Sequence, residues 1–173
     1  MDAIIYTSNT GSTKRYAELL SQETGLPVYP LGEAKQAVPD GAEIVYLGWI
    51  MAGSVKGYHE AAKRYAVRAV CAVGMARTGS QVEDVRRKDH VPADVPVFTL
   101  QGGFDLKKLH GPYRLMMDVM VHTVGKGLAN KPDRTPEEDE MLDMLRHGGD
   151  RVAAEHLADV LAWYDAPRGG RTE

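Results

Sequence analysis

The sequence predicts an α/β protein built on a doubly wound, five-stranded parallel sheet with helices on both faces. Short β-rich runs alternate with segments of helical periodicity up to Gly103, the order that right-handed crossovers between parallel strands produce. Two of the runs, residues 43–50 and 69–75, are apolar at nearly every position, as strands covered on both faces must be. Five strands are too few for an eight-stranded barrel.

Each element follows from a local pattern. The predicted strands are residues 3–6, 28–31, 43–50, 69–75 and 95–100, and the predicted helices between them are residues 14–23, 58–67 and 81–88. Apolar residues at helical spacing support the first helix, which Gly25 and Pro27 end. Because Pro30 has no backbone N–H, the second strand is expected near an edge of the sheet.

The pattern after Gly103 is almost entirely helical. Residues 109–128 form one predicted helix, and a second helical stretch over residues 135–164 is interrupted at Gly148 and Gly149. We therefore expect a single domain over residues 1–165 with an extended helical C-terminal part. The polar, glycine-rich residues 166–173 are expected to form a disordered tail.

The start of that second stretch is marked by a capping box. Thr135 is the expected N-cap, Pro136 occupies the first helical position, and Glu138 completes the box. The acidic run over residues 137–140 is interpreted as a first turn that complements the helix dipole.

Composition excludes several classes of function. The chain has 173 residues and a net charge of −3, which argues against nucleic-acid binding. Its single cysteine, Cys71, excludes a disulfide framework and is expected to be an inert core thiol, and the scattered histidines show no zinc-ligand spacing. The longest uncharged stretch, residues 44–55, is shorter than the roughly 20 residues that span a bilayer. No signal peptide is visible, so we expect a cytoplasmic protein.

The most informative segment is a hydroxyl-rich loop between the first strand and the first helix. It consists of Ser8, Asn9, Thr10, Gly11, Ser12 and Thr13. Small residues at a helix N-terminus offer backbone N–H groups to an anion, so this hydroxyl-rich loop predicts a site for one phosphomonoester. The GxxxxGK[ST] and GxGxxG phosphate motifs are both absent. The alternative interpretation is an ordinary Ser/Thr-rich turn that caps the helix.

Together with Ile4, Ile5, Tyr6 and Ala17, this loop resembles the N-terminal signature of the flavodoxin family. The resemblance implies that residues 8–13 bind the 5′-phosphate of FMN. It also implies the strand order 2-1-3-4-5, which is taken over from flavodoxin, with FMN where the strand order reverses.

Two further loops would then share the ligand-binding edge of the sheet. Trp49, Ile50 and Met51 are candidates for an apolar wall against the flavin ring, and Ala52 and Gly53 would let the backbone approach it. The arginine loop (residues 76–80) supplies the other candidates, which are Ala76, Arg77, Thr78 and Gly79. Electron-carrier flavodoxins usually have an aromatic residue and acidic surroundings here, whereas this loop has neither. A cation at Arg77 would raise the reduction potential, unless Arg77 is only a surface residue.

A second resemblance is to the flavodoxin-like protoporphyrinogen dehydrogenases, which use FMN and pass electrons to quinone. It rests on residues 45–48 leading into Gly53, on residues 98–105, and on the methionine-rich helix that follows. The segment 107–134 has an excess of basic residues, which are Lys107, Lys108, Arg114, Lys126, Lys131 and Arg134, over the acidic Asp118 and Asp133. Such a segment predicts contact with an anionic membrane surface or an acidic partner. The alternative is a helix that covers the sheet.

These observations lead to three hypotheses of function. The first is an FMN-binding electron-transfer protein that exchanges electrons with a redox partner protein. The second is an FMN-dependent oxidoreductase with protoporphyrinogen or a quinone as its small-molecule substrate. The third is a cofactor-free interaction domain, because a fold does not determine a function.

Overall fold

The structure, a computed structural model, describes residues 1–103 and 111–167. The strands are β1 (Ala3–Thr7), β2 (Val28–Pro30), β3 (Glu43–Met51), β4 (Ser54–Val55), β5 (Ala66–Gly74) and β6 (Val97–Gln101). The helices are α1 (Ser12–Thr24), α2 (Leu31–Ala34), α3 (Tyr58–Arg64), α4 (Val82–Asp89), α5 (Gly111–Ala129), α6 (Pro136–His147) and α7 (Ala158–Asp165), with a 3₁₀ turn at Ala154–Leu157.

The sheet contains six strands, of which five are parallel in the order β2-β1-β3-β5-β6. The prediction of an α/β protein with a parallel sheet is therefore confirmed, and the architecture is compatible with a flavodoxin-like fold. The predicted count of five and the order 2-1-3-4-5 differ from the structure, which has six strands in the order 2-1-3-5-6. The difference arises from β4, a two-residue strand antiparallel to β3, because so short a strand carries no periodicity in the sequence.

Two layers of helices bury the two faces of the sheet. Successive residues of a strand point to opposite faces, so Ile5 packs in a cluster with α2, α3 and α4, whereas Ile4 packs against α1 and α7. Both side chains are fully buried. The prediction of helices on both faces is confirmed.

The boundaries of several elements follow local signals, and one predicted boundary is wrong. Helix α1 ends at Gly25, whose φ of 71° suits a glycine C-cap. The predicted helix over residues 58–67 ends at Arg64, and Ala66 already pairs with Glu43 of β3. Pairing with the central strand therefore overrides the helical pattern at residues 66–67.

The C-terminal part is helical as predicted. Helices α5 and α6 form a helical hairpin (residues 111–147) in which Val121 and Leu128 pack against Met144 and Leu145. The capping box at Thr135 is present, and the predicted interruption after α6 is confirmed. Several residues of the sequence analysis lie outside the described residues, namely Phe104, Asp105, Lys107, Lys108, residues 109–110, and residues 168–173 of the predicted tail. The single-domain boundary at residue 165 stays a prediction.

Within residues 1–103 and 111–167, no helix combines the length and the apolar character needed to cross a membrane.

Candidate functional site

The order of the strands reverses beside β1. The chain passes from β1 to β2 on one side, and then returns to place β3 on the other side, where Thr7 pairs with Gly48. In open α/β sheets, ligands bind in the crevice outside the carboxyl ends of the strands at such a reversal. The hydroxyl-rich loop leaves β1 at this edge.

The conformation of the hydroxyl-rich loop exposes a helix N-terminus. Gly11 adopts φ 102° before α1 begins at Ser12, and the first helical bond runs from Arg15 N to Gly11 O at 3.0 Å. No side chain in the described part of the chain caps this end of α1. The N–H groups of the first turn and the positive end of the helix dipole thus face the crevice.

The hydroxyl groups of the loop differ in their partners. Ser8 Oγ is buried and has no hydrogen-bond partner within the described residues. Ser12 Oγ accepts a bond from Gly103 N at 3.0 Å. Thr13 is buried, whereas Thr10 is half-buried and Asn9 is exposed. A buried polar group without a partner costs about 1–3 kcal/mol, so Ser8 is the group that a bound anion would stabilise.

The chain after β6 closes one side of this loop. A Cβ atom at Gly103 would lie 2.6 Å from the backbone oxygen of Gly149. The residue after Gly149, Asp150, forms an ion pair with Arg15 of α1. Gly103 therefore lies between Ser12 of the hydroxyl-rich loop and residues 149–150, which sequence reasoning did not connect with this loop.

One turn further along α1, a buried tyrosine ties the same region together. The Tyr16 hydroxyl donates to Gln101 O at 2.5 Å and forms a hydrogen bond with His156 Nδ1 at 2.7 Å. Burial raises the pKa of Tyr16 to about 12, so this hydroxyl is neutral at ordinary pH. Burial likewise raises the pKa of the Cys71 thiol to about 12, in agreement with the expected inert core thiol.

The structure divides the predicted apolar wall. Strand β3 continues through Met51, so by strand alternation Trp49 and Met51 lie on the α1 side and Ile50 lies on the other. Ile50 packs into the core beside β5, and a Cβ at Gly74 would lie 3.0 Å from its Cδ1. The structure thus brings Trp49 and Met51, but not Ile50, to the face that carries α1.

Ala52 and Gly53 form the turn between β3 and β4. Their φ angles are 51° and 80°, as in a two-residue hairpin turn with both central residues left-handed. The buried carboxylate of Asp89 holds this hairpin, because it accepts bonds from Ser54 Oγ and, at 2.6 Å, from Val55 N. The backbone predicted to approach a flavin ring is therefore the tip of a hairpin with a defined shape.

The arginine loop is tied to β6. Thr78 Oγ1 accepts a bond from Gln101 N at 2.9 Å, and Gly79 N donates to Thr99 O at 2.9 Å. Arg77 forms a bidentate ion pair with Glu140 of α6, with Nη2 at 3.0 Å from Oε1 and Nε at 3.2 Å from Oε2. Ala76 immediately precedes Arg77 in the loop.

Glu140 is the residue that sequence reasoning missed. The sequence predicts only that the acidic run of α6 complements the helix dipole, yet in the structure Glu138 pairs with Lys131, and Asp139 pairs with Arg134. Four acidic residues in succession, close to several basic ones, were a signal for such pairing. The ion pairs also neutralise part of the basic segment 107–134 for which membrane contact is predicted, a prediction that stays open.

An open cavity of about 350 Å³ lies between the hairpin tip and α4. It is lined by Ile50, Gly53, Gln81, Asp84, Val85, Arg87 and Lys88. None of these residues belongs to the hydroxyl-rich loop or to the arginine loop. The cavity therefore shares only the hairpin with the predicted site.

Comparison with known proteins found no matching family model, no matching curated protein and no matching solved structure. The function has to be inferred from the site itself.

Proposed function

We propose that this chain binds FMN non-covalently through the hydroxyl-rich loop and acts as a redox protein that transfers electrons. When bound, FMN would supply the electron chemistry, because it accepts and releases one or two electrons. The protein would bind the cofactor, orient it and tune its potential.

The observation that carries this proposal is the buried, unpartnered hydroxyl of Ser8 beside the uncapped N-terminus of α1. A phosphate oxygen would give Ser8 Oγ its missing hydrogen bond. The N–H groups of the first turn would bind the other oxygens, and the helix dipole favours the negative charge. Thr10 and Thr13 would add hydroxyl donors from the same loop.

The remaining candidate residues would hold the ring. Trp49 and Met51 lie on the same side of the sheet as α1, and the hairpin tip at Ala52 and Gly53 exposes backbone at the adjacent strand end. The arginine loop follows β5, the next strand in the sheet. Neighbouring strands are about 4.8 Å apart, so the three loops span roughly 10 Å.

Binding measurements with paired ligands test the proposal. Purified protein should bind FMN at micromolar concentration, as followed by quenching of flavin fluorescence. Ser8→Ala should weaken the binding of FMN at least tenfold and the binding of riboflavin little, because riboflavin lacks the phosphate. Ser21→Ala removes a hydroxyl at the other end of α1, where it donates to Leu26 O, and should leave FMN affinity unchanged.

Failure of the wild-type protein to bind FMN would overturn the proposal and favour a cofactor-free interaction domain. Equal losses of FMN and riboflavin affinity in Ser8→Ala would show that Ser8 is not a phosphate ligand.

A second candidate function is an FMN-dependent oxidoreductase with a quinone as electron acceptor. It is favoured by the exposed apolar side chains of α5, since Leu115 is 69% and Val119 is 60% exposed. The hairpin that carries them packs against Met75, next to the arginine loop. Stopped-flow reoxidation of the reduced protein distinguishes the two functions, because an oxidoreductase should turn over with a soluble quinone and a carrier should not.

A further inference from the structure

We infer that Glu140 is a positioning residue for Arg77, and that this ion pair lowers the reduction potential of the flavin by cancelling the charge of the guanidinium. The inference rests on the proposed function, because it assigns a role to residues beside the proposed FMN site. It concerns α6, which lies outside the loops that bind the cofactor.

The pair joins two elements that are far apart in the sequence. Arg77 lies in the arginine loop and Glu140 in α6, and both nitrogen–oxygen contacts are within hydrogen-bonding distance. Two parallel bonds between a guanidinium and a carboxylate fix the plane and direction of the guanidinium. Both side chains are about half exposed, so the pair contributes little to stability.

A second contact between the same elements fixes the position of Glu140. Met75 precedes the arginine loop and packs against the cluster of Met144 and Leu145. Residues four apart on a helix share a face, so Glu140 and Met144 both point toward the loop. The capping box at Thr135 defines the start of α6 less than two turns before Glu140. The helix thus presents this carboxylate to Arg77 in a defined place.

The other ion pairs of the acidic run serve a different purpose. Asp139 pairs with Arg134 at 2.6 Å, and both residues belong to the segment between the end of α5 and the first turns of α6. Removing the charge of Asp139 therefore changes a local contact of the helical hairpin. Asp139 and Glu140 are sequence neighbours with equal charge, which makes Asp139 a matched control.

The expected electrostatic effect has a definite sign. In a reductive titration at neutral pH, dithionite supplies two electrons and the solvent one proton, so the flavin ring gains one negative charge. The guanidinium of Arg77 favours that negative charge. The carboxylate of Glu140, which lies about 3 Å from the guanidinium, opposes it. Loss of Glu140 alone should raise the potential, and loss of Arg77 alone should lower it.

The experiment measures midpoint potentials of the FMN-loaded protein by dithionite titration with reference dyes. Glu140→Gln should bind reduced FMN about threefold more tightly relative to oxidised FMN, which raises the midpoint potential by about 14 mV for this two-electron reduction at 29.6 mV per tenfold. Arg77→Gln should shift the potential in the opposite direction. The double variant removes one charge of each sign, so its potential should return close to that of the wild type. Asp139→Asn should leave the potential unchanged.

A dependence on salt gives a second readout. Exposed charges are screened over about 8 Å at physiological ionic strength and over about 3 Å in 1 M salt, so the difference between wild type and Glu140→Gln should shrink at high salt. If all variants bind FMN and Glu140→Gln shifts the potential no more than Asp139→Asn, the inference is wrong and the proposed function stands. If wild type binds no FMN, both fail.

Discussion

The hydroxyl-rich loop and the arginine loop leave the same edge of the sheet, but their polar groups are satisfied in different ways. In the arginine loop, Thr78 and Gly79 are bonded to β6, and Arg77 is held by Glu140. In the hydroxyl-rich loop, Ser8 Oγ has no partner within the described residues and the N-terminus of α1 has no side-chain cap. The first arrangement is completed by the protein, whereas the second leaves groups that the proposed phosphate would satisfy. This contrast is the physical basis for placing a phosphate in one loop only.

The largest expected effect compares two glycines that have the same backbone constraint. Gly11 has φ 102° and Gly79 has φ 81°, and a Cβ at either position would meet no atom within 4 Å. Replacement by alanine should therefore destabilise each variant by about 2 kcal/mol through backbone strain alone, as measured by urea unfolding without FMN. Gly11→Ala should in addition weaken FMN binding by tenfold or more with little effect on riboflavin, whereas any loss in Gly79→Ala should be the same for FMN and riboflavin. A loss of FMN affinity in Gly79→Ala that riboflavin does not share would remove the distinction between the loops.

The next effect compares two hydroxyls in the absence of FMN. Thr78→Val removes the acceptor of the Gln101 N–H and should cost about 1.5 kcal/mol, because a donor in the sheet is left without a partner. Ser8→Ala removes a hydroxyl that already lacks a partner, so the free energy of unfolding should stay the same or rise. Urea denaturation at pH 7 measures both. A destabilised Ser8→Ala apoprotein would show that Ser8 has a structural partner.

The smallest effect concerns Tyr16, which ties α1 to β6 behind the hydroxyl-rich loop. Its pKa is about 12 in the folded protein and about 10 in the unfolded chain. The unfolded state therefore releases the proton first, and the stability that Tyr16 contributes is complete below pH 10 and is lost as the pH rises from 10 to 12. Between pH 9 and pH 11 the loss is about 1 kcal/mol. The free energy of unfolding of Tyr16→Phe, measured by urea denaturation at each pH, should lack this part of the decline. An unchanged decline would contradict the assignment of this pKa shift to Tyr16.

The sequence by itself determined the class of fold and placed the hydroxyl-rich loop between the first strand and the first helix. Alternating apolar runs, the stop at Gly25 and the capping box at Thr135 are local signals, and the structure contains each of them. The hydroxyl-rich loop could also be located from the sequence, because its composition and its place after a buried strand are properties of neighbouring residues. Local propensities and caps act over one or two helical turns, so they can be read without the tertiary structure.

Only the tertiary structure decided which side chains meet at the site. The continuation of β3 through Met51 puts Ile50 on the opposite face from Trp49 and Met51. Arg77 and Glu140 are 63 residues apart, and Ser12 and Gly103 are 91 apart. Contacts of this kind depend on strand register and on how helices dock, and these arise from the packing of the whole core rather than from any local pattern.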